Sequence, residues 1–365
     1  MTRKKIKLAI IFGGKSAEHS ISLRSAKNVI LSVNRERYDL SFIGIEPNGD
    51  WWLLDKDSIM SEIDEKNELT IDEHSKQPLT ISLNGTKGFY LPEEKATYPI
   101  DVAFPVLHGP FGEDGTVQGL LQMIEVPFVG PSLLGSAVGM DKDVMKRLLR
   151  DAGLPIGDYI CLHQEERLDV NAKAIIKELG LPCFVKPANL GSSVGISKAR
   201  NEDELIKAID VAFQFDRKIV IEKNINGREI ECALLGNFDA KASVPGEVIA
   251  YHDFYSFDSK YIDDQGSTTQ IPADLSPEKQ QEIREIAVKT FRTLECEGLS
   301  RVDVFLQEDG DIFVNEINTI PGFTSISMYP MLWKATGIDY ENLIDRLVTL
   351  AFDRFEQQMA LRVSI

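Results

Sequence analysis

Ser300-Arg301-Val302-Asp303-Val304-Phe305, then Glu308-Asp309-Gly310-Asp311, then Ile312-Phe313-Val314-Asn315-Glu316-Ile317-Asn318, reads as a β-hairpin closed by an Asp-Gly turn. With Asp309-Gly310 as the two central turn residues, Asp303 faces Glu316 and Arg301 faces Asn318, all four on one face. Cross-strand partners have Cβ atoms roughly 4.5–5.5 Å apart. Two carboxylates and an amide oxygen at that spacing can hold one or two hard cations, and with no His or Cys among them the expected ion is Mg²⁺ or Mn²⁺. The other face, with Val302, Val304, Leu306, Phe313 and Ile317, is apolar. Phe305 and Val314 extend the carboxylate face with residues of buried type, so the carboxylates are expected in a cleft. The chain then runs into Thr319-Ile320-Pro321-Gly322-Phe323-Thr324-Ser325, whose Pro-Gly turn and hydroxyls suit a loop that brings backbone amides to a small anionic ligand.

Composition narrows the function classes. At 365 residues, with 43% hydrophobic and 27% charged residues, the chain is expected to fold as two or three globular units. Forty Lys and Arg against 57 Asp and Glu give a net charge of −17, which argues against nucleic acid or an anionic membrane as partner. Any anionic ligand must therefore be held by a local exception to the overall charge. Cys161, Cys183, Cys232 and Cys296 lack C-x-x-C spacing, so neither a disulfide scaffold nor a zinc site is expected, and a reducing cytoplasm fits. No apolar run has the length of a membrane span, and the start does not read as a signal peptide.

Leu8 to Phe12 is a β-rich run ending in Gly13-Gly14, followed by helical character from Ser20 to Val33, which is how a doubly wound α/β domain begins. Asp101 to Val106 repeats the pattern and ends at His108-Gly109-Pro110-Phe111-Gly112-Glu113-Asp114-Gly115, ahead of a helix rich in Leu and Met. Ligands of open α/β sheets collect at such strand ends. The Gly/Ser/Pro-rich stretch from Gly130-Pro131 to Gly139 is expected to mark a boundary before a helix from Asp141 to Leu149. A second unit would hold strands Cys183–Lys186, Val194–Lys198 and Ile219–Lys223 and a helix over Asn171–Leu179. A third begins near Glu229 and includes a helix from Ser276-Pro277 to Leu294. The expected division is 1–138, 139–228 and 229–365.

Gly13-Gly14-Lys15-Ser16 resembles the end of a P-loop, but Ala9 stands where that pattern needs glycine. Gly191-Ser192-Ser193-Val194-Gly195 lies between two β-type runs. Such a hairpin tip can cover phosphates with backbone N–H groups and Ser hydroxyls, while Lys186 supplies a cation from the strand end.

Together these motifs resemble the D-alanine–D-alanine ligases of the ATP-grasp superfamily, along the whole chain. The likeness rests on Gly13-Gly14-x-Ser16-Ala17-Glu18-His19, His108-Gly109 with Gly112 to Gly115, Met140-Asp141-Lys142, Gly191 to Gly195, Glu222-Lys223, Arg301-x-Asp303 and Glu316-x-Asn318-x-x-Pro321-Gly322. It implies an N-terminal doubly wound α/β domain followed by an α+β ATP-grasp module of two subdomains. ATP would be a substrate, with Lys142, Lys186 and Lys260 near its phosphates, Gly191 and Ser193 covering them, Glu222, Lys223 and Ile225 lining the adenine pocket, and Glu229 on the ribose. Asp303, Glu316 and Asn318 would hold two Mg²⁺ ions, Mn²⁺ being a possible substitute. Glu18 would hold the ammonium of the first D-alanine, with His108 beside the substrate. Arg301 and the Gly322 amide would meet the developing oxyanion, and Ser327 with Met328 the second D-alanine's carboxylate.

Ser192, Tyr261 and Glu18 would form a hydrogen-bonded triad, and which member takes the second amine's proton is open. The expected reaction is ATP-dependent formation of D-alanyl-D-alanine through an acylphosphate, for peptidoglycan precursors, by a cytoplasmic homodimer. The aromatic stretch Tyr251 to Phe257 would close over the site and exclude water. Tyr261 and Met328 favour D-alanine over D-lactate as acceptor, leaving a D-serine or other ATP-grasp ligase, or a non-catalytic binding protein, as rivals. His19, His74, His163 and His252 are expected to be structural or surface residues.

Overall fold

Leu8, Ile10 and Phe12 point to one side of the first strand and Ala9 and Ile11 to the other, and all five are completely buried. A strand covered on both faces is a continuous apolar run. In the computed structural model, which describes residues 4–72, 74–81, 88–250 and 267–362, this strand, Ile6–Gly13 (β1), lies inside a five-stranded sheet. It pairs in parallel with Tyr38–Ile45 (β2); Trp51–Leu54 (β3) and Lys76–Pro78 (β4) extend that edge antiparallel. Thr80–Ile81 (β5), Phe89–Leu91 (β6) and Ala96–Tyr98 (β7) form a small separate sheet. Val102–Val106 (β8) is the other parallel neighbour of β1. His19–Ser32 (α1) covers one face with Ala26, Val29 and Ile30. Lys56–Lys66 (α2) follows β3, and Thr116–Met123 (α3) covers the opposite face with Val117 and Leu121. The expected α/β layers are present.

Leu133–Met140 (α4) occupies the Gly/Ser/Pro-rich stretch expected to mark a boundary. Its small residues serve packing: a Cβ on Gly135 would meet Glu295 O at 2.5 Å, and one on Gly139 would meet Thr319 Cγ2 at 2.7 Å. The helix therefore packs tightly against Glu295 and Thr319. Lys142–Asp151 (α5) starts immediately after, capped by Asp141, whose carboxylate accepts from the Asp143 and Val144 amides.

The second unit is a four-stranded sheet of Tyr159–His163 (β9), Cys183–Pro187 (β10), Ser197–Ala199 (β11) and Lys218–Lys223 (β12), in the order β11-β10-β12-β9. Cys183, Val185, Ile219 and Ile221 turn toward Ala172–Leu179 (α6) and Glu202–Ala212 (α7). The alternation of two leaves Phe184, Lys186 and Glu222 on the other face. β11 begins later than the expected Val194, because Ser192, Ser193 and Gly195 have φ of 49°, 60° and 72° and keep the chain in a turn.

The third sheet joins Arg228–Gly236 (β13), Lys241–Ala242 (β14), Gly246–Ala250 (β15), Ser267–Gln270 (β16), Gly298–Leu306 (β17) and Ile312–Asn318 (β18). Pro277–Thr293 (α8) packs on it, capped by Ser276 with Pro at its first turn. Met328–Ala335 (α9) and Tyr340–Met359 (α10) place Leu332, Leu343 and Leu347 in one core with Leu8, Ile10 and Phe12, which ties the end of the chain to its first sheet.

The β17–β18 hairpin pairs Asp303 with Glu316 and Arg301 with Asn318, as expected, but for a different reason. Its loop closes from Gln307 to Asp311 with Gly310 at φ 95°, so the turn holds one residue more than the two-residue reading. A bulge between Asp303 and Val304 takes the register back, leaving Asn315 as the extra residue. Between turn and bulge the faces exchange: Val314, not Asn315, sits opposite Val304 in the core, and Phe313 pairs with Phe305 instead of Leu306.

Candidate active site

The polar face of the second sheet and the hairpin face of the third enclose a cleft of about 360 Å³ lined by five lysines and three glutamates, the local exception that a −17 chain needs in order to hold an anion. Lys142, at the first turn of α5, is held by its own amide donating to Ala188 O at 3.0 Å and by Nζ donating to Leu190 O at 2.7 Å. Its ammonium lies 3.9 Å from Glu316, and burial lowers its pKa. Lys186 Nζ is 2.6 Å from Glu222 Oε2. Burial alone would lower the lysine's pKa, but the Glu222 carboxylate outweighs it and raises it. Burial works against ionised Glu222 too, yet Lys146 and Lys186 hold its pKa at about 2. Phe184, Ile225 and Phe305 give the cleft its apolar walls.

The glycine loop joins this cleft to the first sheet. Ser192 and Ser193 adopt left-handed backbone geometry that non-glycine residues seldom take, a cost concentrated at functional sites. In that geometry Ser192 Oγ donates to Glu18 Oε1. Glu18 stands at the N-cap of α1 with no cap bond of its side chain, so its carboxylate is directed across the site. Gly109, at φ 72°, is required here: a Cβ would meet Glu18 Oε2 at 2.5 Å and Ser16 Oγ at 2.8 Å. Glu113 accepts the Gly109 amide at 2.8 Å and the Ile320 amide at 3.3 Å, while Thr319 Oγ1 donates to the Glu113 carbonyl at 3.2 Å. Burial, with the Glu18 carboxylate nearby, pushes its pKa up to about 8, so a proton on Glu113 limits the negative charge beside Glu18.

On the hairpin, Arg301 donates to both oxygens of Asp303 at 2.7 Å and its Nε lies 2.8 Å from Glu231 Oε2. Asn318 Nδ2 donates to Asp303 Oδ2 at 2.9 Å. Among the described residues no three His, Cys, Asp or Glu side chains gather into a metal cage. The donors present, two carboxylates and an amide oxygen, fit Mg²⁺ in its usual setting, where one or two carboxylates are completed by water and substrate phosphates.

His108 is almost wholly buried, its Nδ1 3.2 Å from Ile320 O and its Nε2 3.1 Å from Ser25 Oγ. The Phe323 amide donates to the same Ser25 oxygen at 3.2 Å. The ring is thus a joint between α1, the end of β8 and the loop ahead of α9. Burial lowers its pKa to about 4 from 6.5, so native His108 stays neutral where the unfolded chain binds a proton. Its contribution is intact above pH 6.5 and is lost as pH falls toward 4. Urea unfolding at pH 7 and pH 4.5 should show the stability gap between wild type and His108→Gln narrowing by roughly 2 to 3 kcal/mol at the lower pH. An unchanged gap would show that the ring is not held neutral.

Lys142, Lys186, Gly191, Ser192, Ser193, Glu222, Lys223, Ile225, Glu229 and Glu316 all line the cleft. Glu18 reaches it through Ser192, and Asp303, Asn318 and Arg301 stand next to Glu316 on the hairpin. Ser327 accepts from the Thr324 amide at 2.9 Å and lies against Gly322, where a Cβ would meet its Oγ at 2.8 Å. Met328 is buried against Gly246 in the core. Tyr261, Lys260, His252 and the aromatic stretch from Tyr251 to Phe257 lie outside the described residues. His19 Nδ1 meets Gly14 O at 2.9 Å and His74 is buried between Glu62 and Ser58, both structural roles. Sequence reasoning missed Lys146, Asn315 and Glu113. Lys146 could have been found as a lysine one turn after Lys142, among the helix's buried positions.

Family models described as D-ala D-ala ligase N-terminus and D-ala D-ala ligase C-terminus match residues 7–131 and 148–349. The chain is 46% identical over 360 residues to a D-alanine–D-alanine ligase of Proteus mirabilis, covering 98% of each. It is 45% identical to D-alanine–D-alanine ligase A of Escherichia coli K12, over 99% of this chain and 100% of that protein. Among solved structures, the D-alanine–D-alanine ligase from Coxiella burnetii superposes with a TM-score of 0.83 at 36% identity, covering 97% of both chains. The VanG D-Ala:D-Ser ligase from Enterococcus faecalis superposes with a TM-score of 0.84 at 35% identity, over 95% of this chain and 100% of that one.

Proposed function

The chain belongs to the D-alanine–D-alanine ligase family and is a ligase with the ATP-grasp fold, and from that premise we propose that it joins two D-alanine molecules, with ATP converted to ADP and phosphate through a D-alanyl phosphate. The observation that carries the reading is the lysine-lined cleft of an acidic protein, adjoining Glu18 through Ser192 and the Arg301–Asp303 pair through Glu316. A carboxylate is a poor electrophile until it is phosphorylated. Lys142 and Lys186 would stabilise the transferring phosphoryl group. Bound Mg²⁺ would be held by Asp303, Glu316 and Asn318 and would neutralise phosphate charge. Glu18 would orient the first D-alanine's ammonium, and Arg301 with the Gly322 amide would face the oxyanion of the second step. Tyr261 and Lys260 keep their proposed places in the triad and at the γ-phosphate, with Ser327 and Met328 beside the second carboxylate. Among the described residues no helix is long and apolar enough to cross a membrane. A cytoplasmic homodimer supplying peptidoglycan synthesis completes the proposal.

The test is ADP and phosphate release with ATP, Mg²⁺ and D-alanine, the product identified by mass spectrometry, with L-alanine, D-serine and D-lactate as competitors. D-alanyl-D-alanine, formed only with Mg²⁺ present, is the expected product. Preferential capture of D-serine would instead support the acceptor named for the E. faecalis relative. ATP binding without ligation of any acceptor would overturn the ligase reading.

A further inference from the structure

Lys146 is a buried lysine that the proposed chemistry does not use. It lies one turn after Lys142 on α5 with its side chain 3% exposed. Its Nζ is 3.2 Å from Glu222 Oε1 and 5.6 Å from the centre of the Tyr159 ring. Lys186 takes the other oxygen, Oε2, at 2.6 Å. Two ammonium groups on α5 and β10 therefore divide one carboxylate on β12. Five lysines against three glutamates leave the cleft two positive charges in surplus, and Lys146, set on the carboxylate that Lys186 already holds, supplies one of them. Without it, Lys186 and Glu222 would form a neutral pair with little attraction for a polyanion.

We propose that Lys146 is a positioning residue for phosphate binding: by occupying one oxygen of Glu222 it leaves the Lys186 ammonium uncancelled toward the cleft, so that the trio meets the nucleotide's phosphates with a net positive charge. The inference rests on the nucleotide reading of this cleft. It deepens that reading by assigning the affinity for phosphate to a residue that faces the carboxylate. A purely packing role for Lys146 would affect every ligand of the cleft alike. A charge-balancing role must affect ligands in proportion to their phosphates and must be undone by removing the charge that Lys146 balances.

The experiment measures equilibrium affinities for ATP and for adenosine, by calorimetry and competition, in wild type, Lys146→Met and the double variant Lys146→Met/Glu222→Gln. Lys146→Met should weaken ATP about tenfold or more and adenosine little. The double variant should recover most of the ATP-to-adenosine ratio, because the glutamine amide oxygen still accepts from Lys186 without its charge. Lys146→Gln replaces the Met variant should that one not fold. A single variant that loses ATP and adenosine equally, or a double variant whose ratio stays low, would overturn the role of Lys146 while leaving the cleft a nucleotide site. A wild-type protein that binds ATP no better than adenosine would overturn the phosphate reading itself.

Discussion

Replacing Glu316 by glutamine is expected to cut ATP-dependent dipeptide formation by about three orders of magnitude, since an ion polarising a phosphoryl oxygen supplies several kcal/mol and each 1.4 kcal/mol is about tenfold. The substitution is nearly isosteric, and its side chain stands at the cleft wall with 28% exposure. The folded state should therefore be little affected. The Glu316 ion pair with Lys142 is long, at 3.9 Å, and the side chain lines the cleft. Asp303, by contrast, is held by Arg301 and Asn318. The check is turnover against Mg²⁺ concentration beside a melting curve. Near-normal activity with an unaltered Mg²⁺ dependence would remove Glu316 from the ion's coordination, and a collapsed melting temperature would make it a structural residue instead.

That residue also shows what was legible in the sequence. The pairing of Asp303 with Glu316 follows from hydrophobic alternation and the Asp-Gly signal, yet two-residue and three-residue hairpin loops can share that signal. The longer loop and the bulge at Asn315 compensate each other, so the register at the functional end agrees while Phe313 and Val314 exchange faces in between. The core of the first strand and the limits of α8 were readable because periodicity and capping residues act locally. The helix within the stretch from Gly130 to Gly139 was not legible, because glycine and serine serve close packing as well as turns, and which applies depends on Glu295 and Thr319, far along the chain. Glu113 is the same case in the site. Its partners Gly109 and Ile320 are separated by most of the protein, and only the docking of the loop ahead of α9 onto the first sheet makes its carboxyl a clamp. The P-loop-like Gly13-Gly14 has a packing cause, since Gly14 N donates to Ile45 O at 2.7 Å and the turn must pass close to β2.

Arg301→Met should be damaging in two separable ways. Arg301 lies between Glu231 and Asp303, which are direct cross-strand partners on β13 and β17 and both almost fully buried. Burial alone would lower the guanidinium's pKa, but Asp303 and Glu231 outweigh it and raise it well above the ordinary value. Removing that cation leaves two like charges opposite each other in the sheet. Breaking a buried pair from one side typically costs about 3 to 5 kcal/mol, so a clear fall in the urea midpoint is expected. The loss of a donor facing developing negative charge would lower turnover by a further factor of roughly 10² to 10³. The second substitution Glu231→Gln separates the two effects. It removes one of the facing charges and should restore much of the stability, but it supplies no cation to the reacting carbonyl. A stable, inactive Arg301→Met/Glu231→Gln protein would mean that Arg301 serves catalysis as well as the sheet. Recovery of turnover together with stability would mean that its work is to keep Asp303 and Glu231 paired.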